Sequence, residues 1–120
     1  MTKSLLKKMM VTFVVLTSLV SGTAFAQGVI FSRTDRVQGF DTDIWRVWVP
    51  AGSSRVVVDG GSHTDLDLEV YDAATGRLLA VDGDGSSYCI GDFYKPTAGW
   101  IEVHIENLGR FGNSYQVYVR

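Results

Sequence analysis

Six of the aspartates come in pairs separated by one residue, and these pairs are the residues of the chain best suited to bind a metal ion. They are Asp41 and Asp43, Asp65 and Asp67, and Asp82 and Asp84. Calcium takes roughly six to eight oxygen ligands, which short carboxylates beside turns can supply. Two interpretations stay open: a calcium site, and the solvated faces and Asx turns in which aspartate is common. The sequence favours the second, because neither an EF-hand nor a calcium-binding repeat fits.

Nucleophilic catalysis would depend on the single cysteine, Cys89, or on a serine, together with His63 or His104. No Gly-x-Ser-x-Gly elbow is present, and a lone cysteine in an alternating strand is typically a small buried hydrophobe. Zinc would need a second cysteine or paired histidines, which the sequence lacks. A small secreted enzyme that uses Cys89 or a serine is therefore the least favoured function.

Aromatic side chains on the outside of a sheet are the candidates for ligand binding. If Trp45 faces the core, alternation places Trp48 on the outside together with Arg46. By the same logic Tyr118 points outward if Tyr115 points inward. Exposed rings of this kind stack on sugar rings or on apolar partners. Two interpretations stay open: Trp48 and Tyr118 bind a ligand, or they only cover the sheet or lie under loops, which the sequence favours.

Short strands separated by Gly, Pro, Asn and Asp turns account for the chain beyond residue 28. The predicted strands are Val29–Ser32, Ile44–Val49, Arg55–Asp59, Leu66–Tyr71, Arg77–Val81, Tyr88–Phe93, Trp100–Glu106 and Ser114–Val119. Turn signals recur every 8 to 12 residues or so, and no amphipathic helical run interrupts them. This pattern predicts an all-β fold, an antiparallel sandwich of about eight strands.

Two strands show the alternation most clearly. Their apolar side chains, Leu66, Leu68, Val70, Ile101, Val103 and Ile105, are predicted to face the core. The polar side chains between them are predicted to face water. The loop Asp72–Gly76 ends in a glycine suited to a positive φ, so we expect Leu66–Tyr71 and Arg77–Val81 to form a hairpin.

The first 26 residues have the features of a signal peptide. A lysine-rich start is followed by an apolar stretch over residues 9–20 and by the small-x-small sequence that ends at Ala26. As a helix the apolar stretch would span about 18 Å, too short for the roughly 30 Å core of a bilayer, which disfavours a membrane anchor. We expect cleavage after Ala26, a single domain over residues 27–120, and a periplasmic or secreted protein.

The charge of the predicted mature chain narrows the class of partner. Three of the 11 basic residues and none of the 13 acidic ones lie in the predicted signal peptide, so removing it changes the net charge from −2 to −5. An acidic surface repels phosphate backbones and anionic headgroups. We therefore expect neither nucleic acid nor, after cleavage, a membrane as a partner. One cysteine allows no intramolecular disulfide, so the core must supply the stability.

Several short stretches, taken in order, point to a known family. They are Asp41-Thr42-Asp43-Ile44-Trp45, Pro50-Ala51-Gly52, Thr64–Asp72, and Asn107-Leu108-Gly109 with Asn113-Ser114-Tyr115. In this order the chain resembles the bacterial pre-peptidase C-terminal domain over roughly residues 36 to 119. The resemblance implies a β-sandwich of jelly-roll type, usually carried at the end of secreted peptidases, and some members bind calcium or insoluble polymers. Because no peptidase domain precedes the region here, we expect a stand-alone exported protein.

Taken together, the residues predict a non-catalytic exported module that binds a polymer or a protein. A calcium-stabilised structural module is the first alternative. The two hypotheses differ in the structure they require. A flat aromatic patch would support the binding module, and converging aspartate carboxylates would support the calcium-stabilised one.

Overall fold

The computed structural model describes residues 10–12 and 28–120, and in these residues the elements are strands joined by turns. The strands are β1 (Met10–Thr12), β2 (Phe31–Val37), β3 (Thr42–Val49), β4 (Gly52–Gly60), β5 (Leu66–Asp72), β6 (Leu78–Asp82), β7 (Tyr88–Lys95), β8 (Gly99–Asn107) and β9 (Asn113–Val119). Each predicted strand overlaps one of β2 to β9. The predicted all-β fold is therefore confirmed.

The strands form two sheets that face each other. The four-stranded sheet has the order β2-β9-β4-β7, and the five-stranded sheet has the order β1-β3-β8-β5-β6. Neighbouring strands are antiparallel, except that β1 pairs with β3 in parallel. The order of β2 to β9 in the two sheets is that of a jelly roll. This is the sandwich that the family resemblance implies.

The core lies between the two sheets. It consists of the inward-pointing side chains, which are alternate residues along each strand. All six side chains predicted to face inward are fully buried: Leu66, Leu68, Val70, Ile101, Val103 and Ile105. Because these side chains alternate with polar ones, β5 and β8 each bury one face and expose the other. The predicted orientation of both strands is confirmed.

The first strand of the sandwich differs from its prediction. The sequence predicts Val29–Ser32, whereas β2 runs from Phe31 to Val37. Phe31 and Val37, at the two ends of β2, are buried. The residues between them are polar on both faces of the strand, so no alternation of apolar and polar residues indicates a strand there. The reason is that β2 is an edge strand, paired only with β9, and polar residues are tolerated at such edges.

The predicted hairpin is present between β5 and β6, which are antiparallel neighbours. Gly76 has a φ of 78° and donates its N–H to the carbonyl of Asp72 at 2.8 Å. A side chain at this φ would be strained, so glycine is the residue that the turn requires.

Tyr115 on β9 joins the two sheets through its hydroxyl group. The hydroxyl donates to Oδ2 of Asp43 on β3 at 2.6 Å and accepts from Nε1 of Trp45 at 2.9 Å. Burial, followed by the hydrogen bond to Asp43, raises the pKa of Tyr115 well above its ordinary value. The neutral hydroxyl therefore keeps its proton and anchors Asp43 on the inner side of the sheet.

Most of the predicted signal peptide, and its cleavage after Ala26, lies outside the described residues. The exception is Met10–Thr12, which forms β1 at the edge of the five-stranded sheet. Within the described ranges, no helix has the length and apolar character needed to cross a membrane.

Candidate functional site

Trp48, one of the two predicted ligand-binding residues, lies on the outer face of the five-stranded sheet and is 38% exposed. Its partner in the β3–β8 register is Trp100. One step along the strands, Arg46 is opposite Glu102, which in turn is opposite Tyr71 on β5. The outward side chains of three adjacent strands therefore form rows across this face.

The two tryptophans form an edge-to-face pair, with ring centroids 5.4 Å apart and ring planes at 83°. The guanidinium carbon of Arg46 lies 5.7 Å from the centroid of the Trp100 ring. Nη1 of Arg46 is also 3.4 Å from Oε2 of Glu102. The edge-to-face packing of the two rings and the position of the Arg46 guanidinium beside Trp100 are both favourable for aromatic rings. Arg46 therefore helps to hold Trp100, and Trp100 helps to hold the more exposed Trp48.

The contacts continue from Glu102 to the next strand. Nε2 of His104 lies 3.1 Å from Oε1 of Glu102, and the His104 ring packs on Tyr71 with centroids 4.7 Å apart. The Tyr71 hydroxyl donates to Oε1 of Glu69 at 2.8 Å. This hydrogen bond is the main cause of a raised pKa for Tyr71. Its hydroxyl therefore stays neutral and remains a donor.

Seven side chains from β3, β8 and β5 are thus connected in series on one solvent-facing surface. We name this surface the Trp48 face; its residues are Trp48, Trp100, Arg46, Glu102, His104, Tyr71 and Glu69. Alternation predicts that several of them point outward. It does not predict that they lie side by side, because this depends on which strands are neighbours. Apart from Trp48 and His104, none of the seven was identified as a candidate site residue from the sequence for this reason.

Tyr118, the second predicted ligand-binding residue, lies half-buried on the outer face of the four-stranded sheet. The guanidinium carbon of Arg120 is 5.9 Å from its ring centroid. On the same face Arg55 donates to both carboxylate oxygens of Asp92, at 2.6 and 3.0 Å, which lowers the pKa of Asp92. A shallow groove of about 540 Å³ lies beside this pair, next to Tyr94. We name the outer face of the four-stranded sheet, which includes Tyr118, Arg120, Arg55, Asp92 and Tyr94, the Tyr94 face. The structure therefore places Trp48 and Tyr118 on opposite sides of the sandwich.

Four of the six candidate calcium ligands accept hydrogen bonds within the protein. The donors are the Tyr115 hydroxyl for Asp43, and backbone N–H groups of Thr42 for Asp41, of Ile90 for Asp82 and of Ser86 for Asp84. Asp43 is buried on the inner side of its sheet. The other three belong to turns or strand ends.

Asp65 and Asp67 are placed differently, because Oδ1 of each is buried without a hydrogen-bond partner. Desolvation by burial, and then the charge of Asp65, raises the pKa of Asp67 above its ordinary value. The charges of Glu106, Glu69 and Asp82 act in the same direction. Four carboxylates therefore lie near enough to Asp67 for their charges to oppose its ionisation. Across residues 10–12 and 28–120, no group of three or more His, Cys, Asp or Glu side chains has the arrangement of a metal site.

The groups weighed for catalysis do not meet. Cys89 lies in the core, where its thiol donates to the carbonyl of Leu66 at 3.2 Å. Burial, followed by nearby aspartate charges, raises the pKa of Cys89 to about 12. His104 points to the outside of the other sheet, and His63 lies exposed in the loop between β4 and β5. The five-stranded sheet therefore lies between the Cys89 thiol and the His104 imidazole.

A family model for the bacterial pre-peptidase C-terminal domain matches residues 41–107, which is more than half of the chain. The matched region begins at Asp41 and includes the whole Thr64–Asp72 stretch. No curated protein matches the chain in sequence.

Several solved structures share the fold. The pre-peptidase C-terminal domain of a collagenase from Bacillus anthracis has a TM-score of 0.63 at 12% identity, over 75% of this chain and 88% of that one. PliG from Aeromonas hydrophila, a periplasmic inhibitor of g-type lysozyme, has a TM-score of 0.54 at 18% identity, over 93% and 99%. CorA, a surface-associated copper-binding protein from Methylomicrobium album BG8, has a TM-score of 0.60 at 8% identity, over 94% and 98%. At these identities the similarity is one of fold.

Proposed function

The chain belongs to the bacterial pre-peptidase C-terminal domain family, and we propose that it is a non-catalytic module that binds a polymer or a protein outside the cytoplasm. The proposed binding surface is the Trp48 face. The observation that carries the proposal is the series of contacts from Trp48 to Glu69 on a surface that faces solvent.

Holding exposed side chains in fixed positions costs free energy. Each long side chain that is held in one rotamer loses conformational entropy, and an exposed ion pair returns little stability. A binding surface gains from such order, because side chains that are already fixed pay no further ordering cost when a ligand arrives. Trp, Tyr and Arg, which the Trp48 face contains, are also the residues that contribute most at interfaces.

The non-catalytic part of the proposal is supported by the chemistry of the described residues. The raised pKa of Cys89 keeps its thiol protonated at neutral pH, and a thiol is a poor nucleophile. Two of the proteins that share the fold are named as an inhibitor and as a copper-binding protein. These names add support for a binding role rather than a reaction.

We also propose that the protein works in the periplasm or after secretion. The signal-like features of residues 1–26 support this location, as does the periplasmic location of PliG. The intact mass of the exported protein tests it, with a mature form that begins at Gln27 expected. A membrane fraction that retains Met1–Ala26 would contradict it.

The proposed function is tested by measuring the binding of the mature protein to insoluble cellulose, chitin and peptidoglycan, and to soluble g-type lysozyme. We expect at least one of these probes to bind. Trp48→Ala should then weaken that binding by about tenfold or more, because the exposed ring is lost. Tyr94→Ala, which removes a more exposed ring from the other face, is the matched control and should bind like the wild type. A bound probe that is insensitive to Trp48→Ala would contradict the proposal.

A second candidate function, a calcium-stabilised structural module, is favoured by the two buried carboxylate oxygens of Asp65 and Asp67 that lack partners. A cation beside them would offset the crowding of negative charge. Calcium at about 100 times its Kd would then stabilise the fold by roughly 2.7 kcal/mol. The measurement is the melting temperature in calcium and in excess chelator. An increase that disappears in Asp65→Asn/Asp67→Asn supports this role, and an unchanged melting temperature contradicts it.

A further inference from the structure

The Trp48 face contains two separate ring pairs. The first ring pair is Trp48 with Trp100, and the second ring pair is Tyr71 with His104. Trp100 and His104 are four residues apart on β8 and point to the same side, about 14 Å apart along the strand. Tyr71 is opposite Glu102, so it lies between these two levels, about 7 Å along the strand from Trp100. The two pairs together therefore extend over about 14 Å of β8, more than one small ring covers, and an extended ligand along β8 would reach both.

The polar groups between the ring pairs are paired with one another. Arg46 and Glu102 form an ion pair of opposite charges, and Glu102 also contacts His104. The carboxylate of Glu69 accepts a hydrogen bond from the Tyr71 hydroxyl. With one arginine and two glutamates, this surface has an excess of negative charge, and Asp67 and Glu106 add carboxylates next to it on β5 and β8. Guanidinium N–H groups and carboxylate oxygens remain able to donate to and accept from hydroxyl groups.

We propose that the ligand of the Trp48 face is a linear, uncharged polysaccharide that lies along β8. This inference rests on the proposed function and specifies its ligand. One sugar ring would stack on the first ring pair and a more distant one on the second, since the C–H face of a sugar ring is apolar and an aromatic face carries negative charge density. The hydroxyls of the intervening sugars would bond to Arg46 and Glu102. The excess of carboxylates on this surface favours such a polymer over an anionic one, which it would repel.

The experiment uses cello-oligosaccharides and chito-oligosaccharides of increasing length, from disaccharide to hexasaccharide, with the mature protein. Affinity is measured by isothermal titration calorimetry. We expect binding to strengthen with length until the ligand reaches the second ring pair, and then to level off. Trp48→Ala should weaken the binding of every length by about tenfold or more. Tyr71→Ala should weaken only the longer ligands and reduce them to the affinity of the short ones.

Two control variants separate ring stacking from a loss of structure. Tyr71→Phe keeps the ring and should preserve the length dependence, whereas a purely polar role for Tyr71 would abolish it. Tyr94→Ala should leave all affinities unchanged. Melting temperatures of the four variants show whether each is folded.

Four outcomes would overturn the inference. Affinity that is independent of length, or a Tyr71→Ala loss that is equal at all lengths, would contradict a ligand that spans both ring pairs. Trp48-dependent binding of lysozyme without binding of any oligosaccharide would contradict a polysaccharide ligand and leave the proposed function standing. Failure of the oligosaccharides, the insoluble polymers and lysozyme alike would contradict the proposed function as well.

Discussion

The two outer faces of the sandwich carry similar side chains but organise them differently. On the Trp48 face, rings and charged groups of three strands contact one another in series. On the Tyr94 face, Arg55 bonds to Asp92, while Tyr94 and Tyr88 are 64% and 48% exposed. Aromatic and charged residues are thus present on both sides. What distinguishes the Trp48 face is that its contacts join seven side chains of three strands in one series, whereas the contacts described on the Tyr94 face are separate pairs.

This difference teaches that composition alone is a poor guide to a binding surface. An exposed tyrosine such as Tyr94 contributes apolar area but must be ordered when a ligand binds, which costs free energy. Trp48 is held in advance by Trp100, and Trp100 by Arg46.

The largest expected effect concerns the register of β5, which places Glu69 on the Trp48 face and Leu68 in the core. Leu68→Ala should destabilise the protein by about 2 to 5 kcal/mol, because it leaves a cavity in a fully buried site. Glu69→Ala should change stability by no more than about 0.5 kcal/mol. Urea denaturation of both variants gives the two values. Equal losses would mean that the faces of β5 are wrongly assigned.

The next effect compares an ordered polar contact inside the sandwich with one on its surface. Tyr115→Phe removes the donor to the buried Asp43 and the acceptor of Trp45, and it should cost roughly 1 to 3 kcal/mol. Tyr118→Phe removes a hydroxyl from the outer face of the same strand and should cost about 0.5 kcal/mol or less. Chemical denaturation measures both costs, and a Tyr115→Phe variant as stable as the wild type would contradict this assignment.

A smaller effect tests whether Arg46 orders the ring pair. Arg46→Gln removes the cation beside Trp100 and should weaken ligand binding roughly 2- to 5-fold, the value expected for one partly exposed cation–π contact. Arg55→Gln is the matched change on the Tyr94 face and should leave binding unchanged. Titration with a ligand that binds the wild type measures both variants. Equal effects of Arg46→Gln and Arg55→Gln on ligand affinity would contradict the contrast between the two faces.

The smallest effect is a dependence of stability on pH, which has opposite signs for Asp67 on β5 and for Asp92 on the Tyr94 face. The pKa of Asp67 is raised, so its ionisation destabilises the fold, and the stability linked to its protonated form is lost as the pH rises through its folded pKa. Asp67→Asn should therefore stabilise the calcium-free protein by a few tenths of a kcal/mol at pH 7, and the gain should disappear below about pH 3.9.

Asp92→Asn is the control, because Arg55 lowers the pKa of Asp92. The ionised carboxylate stabilises the fold above the ordinary pKa of aspartate, and this contribution is lost as the pH falls through the folded pKa. The variant should therefore be less stable than the wild type at neutral pH and equal to it in acid. Melting curves across the pH range test both aspartates. A loss of stability in Asp67→Asn without calcium would contradict the crowding of charge around it.

The orientation of residues within strands could be predicted from the sequence, and the neighbours of most strands could not. Leu68 and Ile101 were placed correctly because alternation is a local pattern. The β5–β6 hairpin was predicted because a short loop leaves few other arrangements. The pairing of β3 with β8 joins residues such as Trp48 and Trp100, which are far apart in the chain. No local pattern carries that information.

In the candidate site, too, the orientation of a residue could be predicted from its own strand, but its neighbours on other strands could not. Trp48 was identified because its own strand shows that it points outward, whereas the contacts that order it come from β8 and β5. The acidic residues behave similarly, since Asp65 and Asp67 are local neighbours but Glu106 reaches Asp67 through strand pairing. Strand β2 was misplaced because an edge strand with polar residues on both faces lacks alternation.

The most direct test of the central claim is a nuclear magnetic resonance titration that follows the indole N–H signals of the three tryptophans. The titrant is a chito- or cello-oligosaccharide that binds the wild type. The account predicts that the signals of Trp48 and Trp100 shift with ligand concentration. The signal of Trp45, whose indole donates to Tyr115 in the core, should remain in place. Unmoved Trp48 and Trp100 signals, together with shifts around Tyr94, would contradict the claim that the Trp48 face is the binding surface.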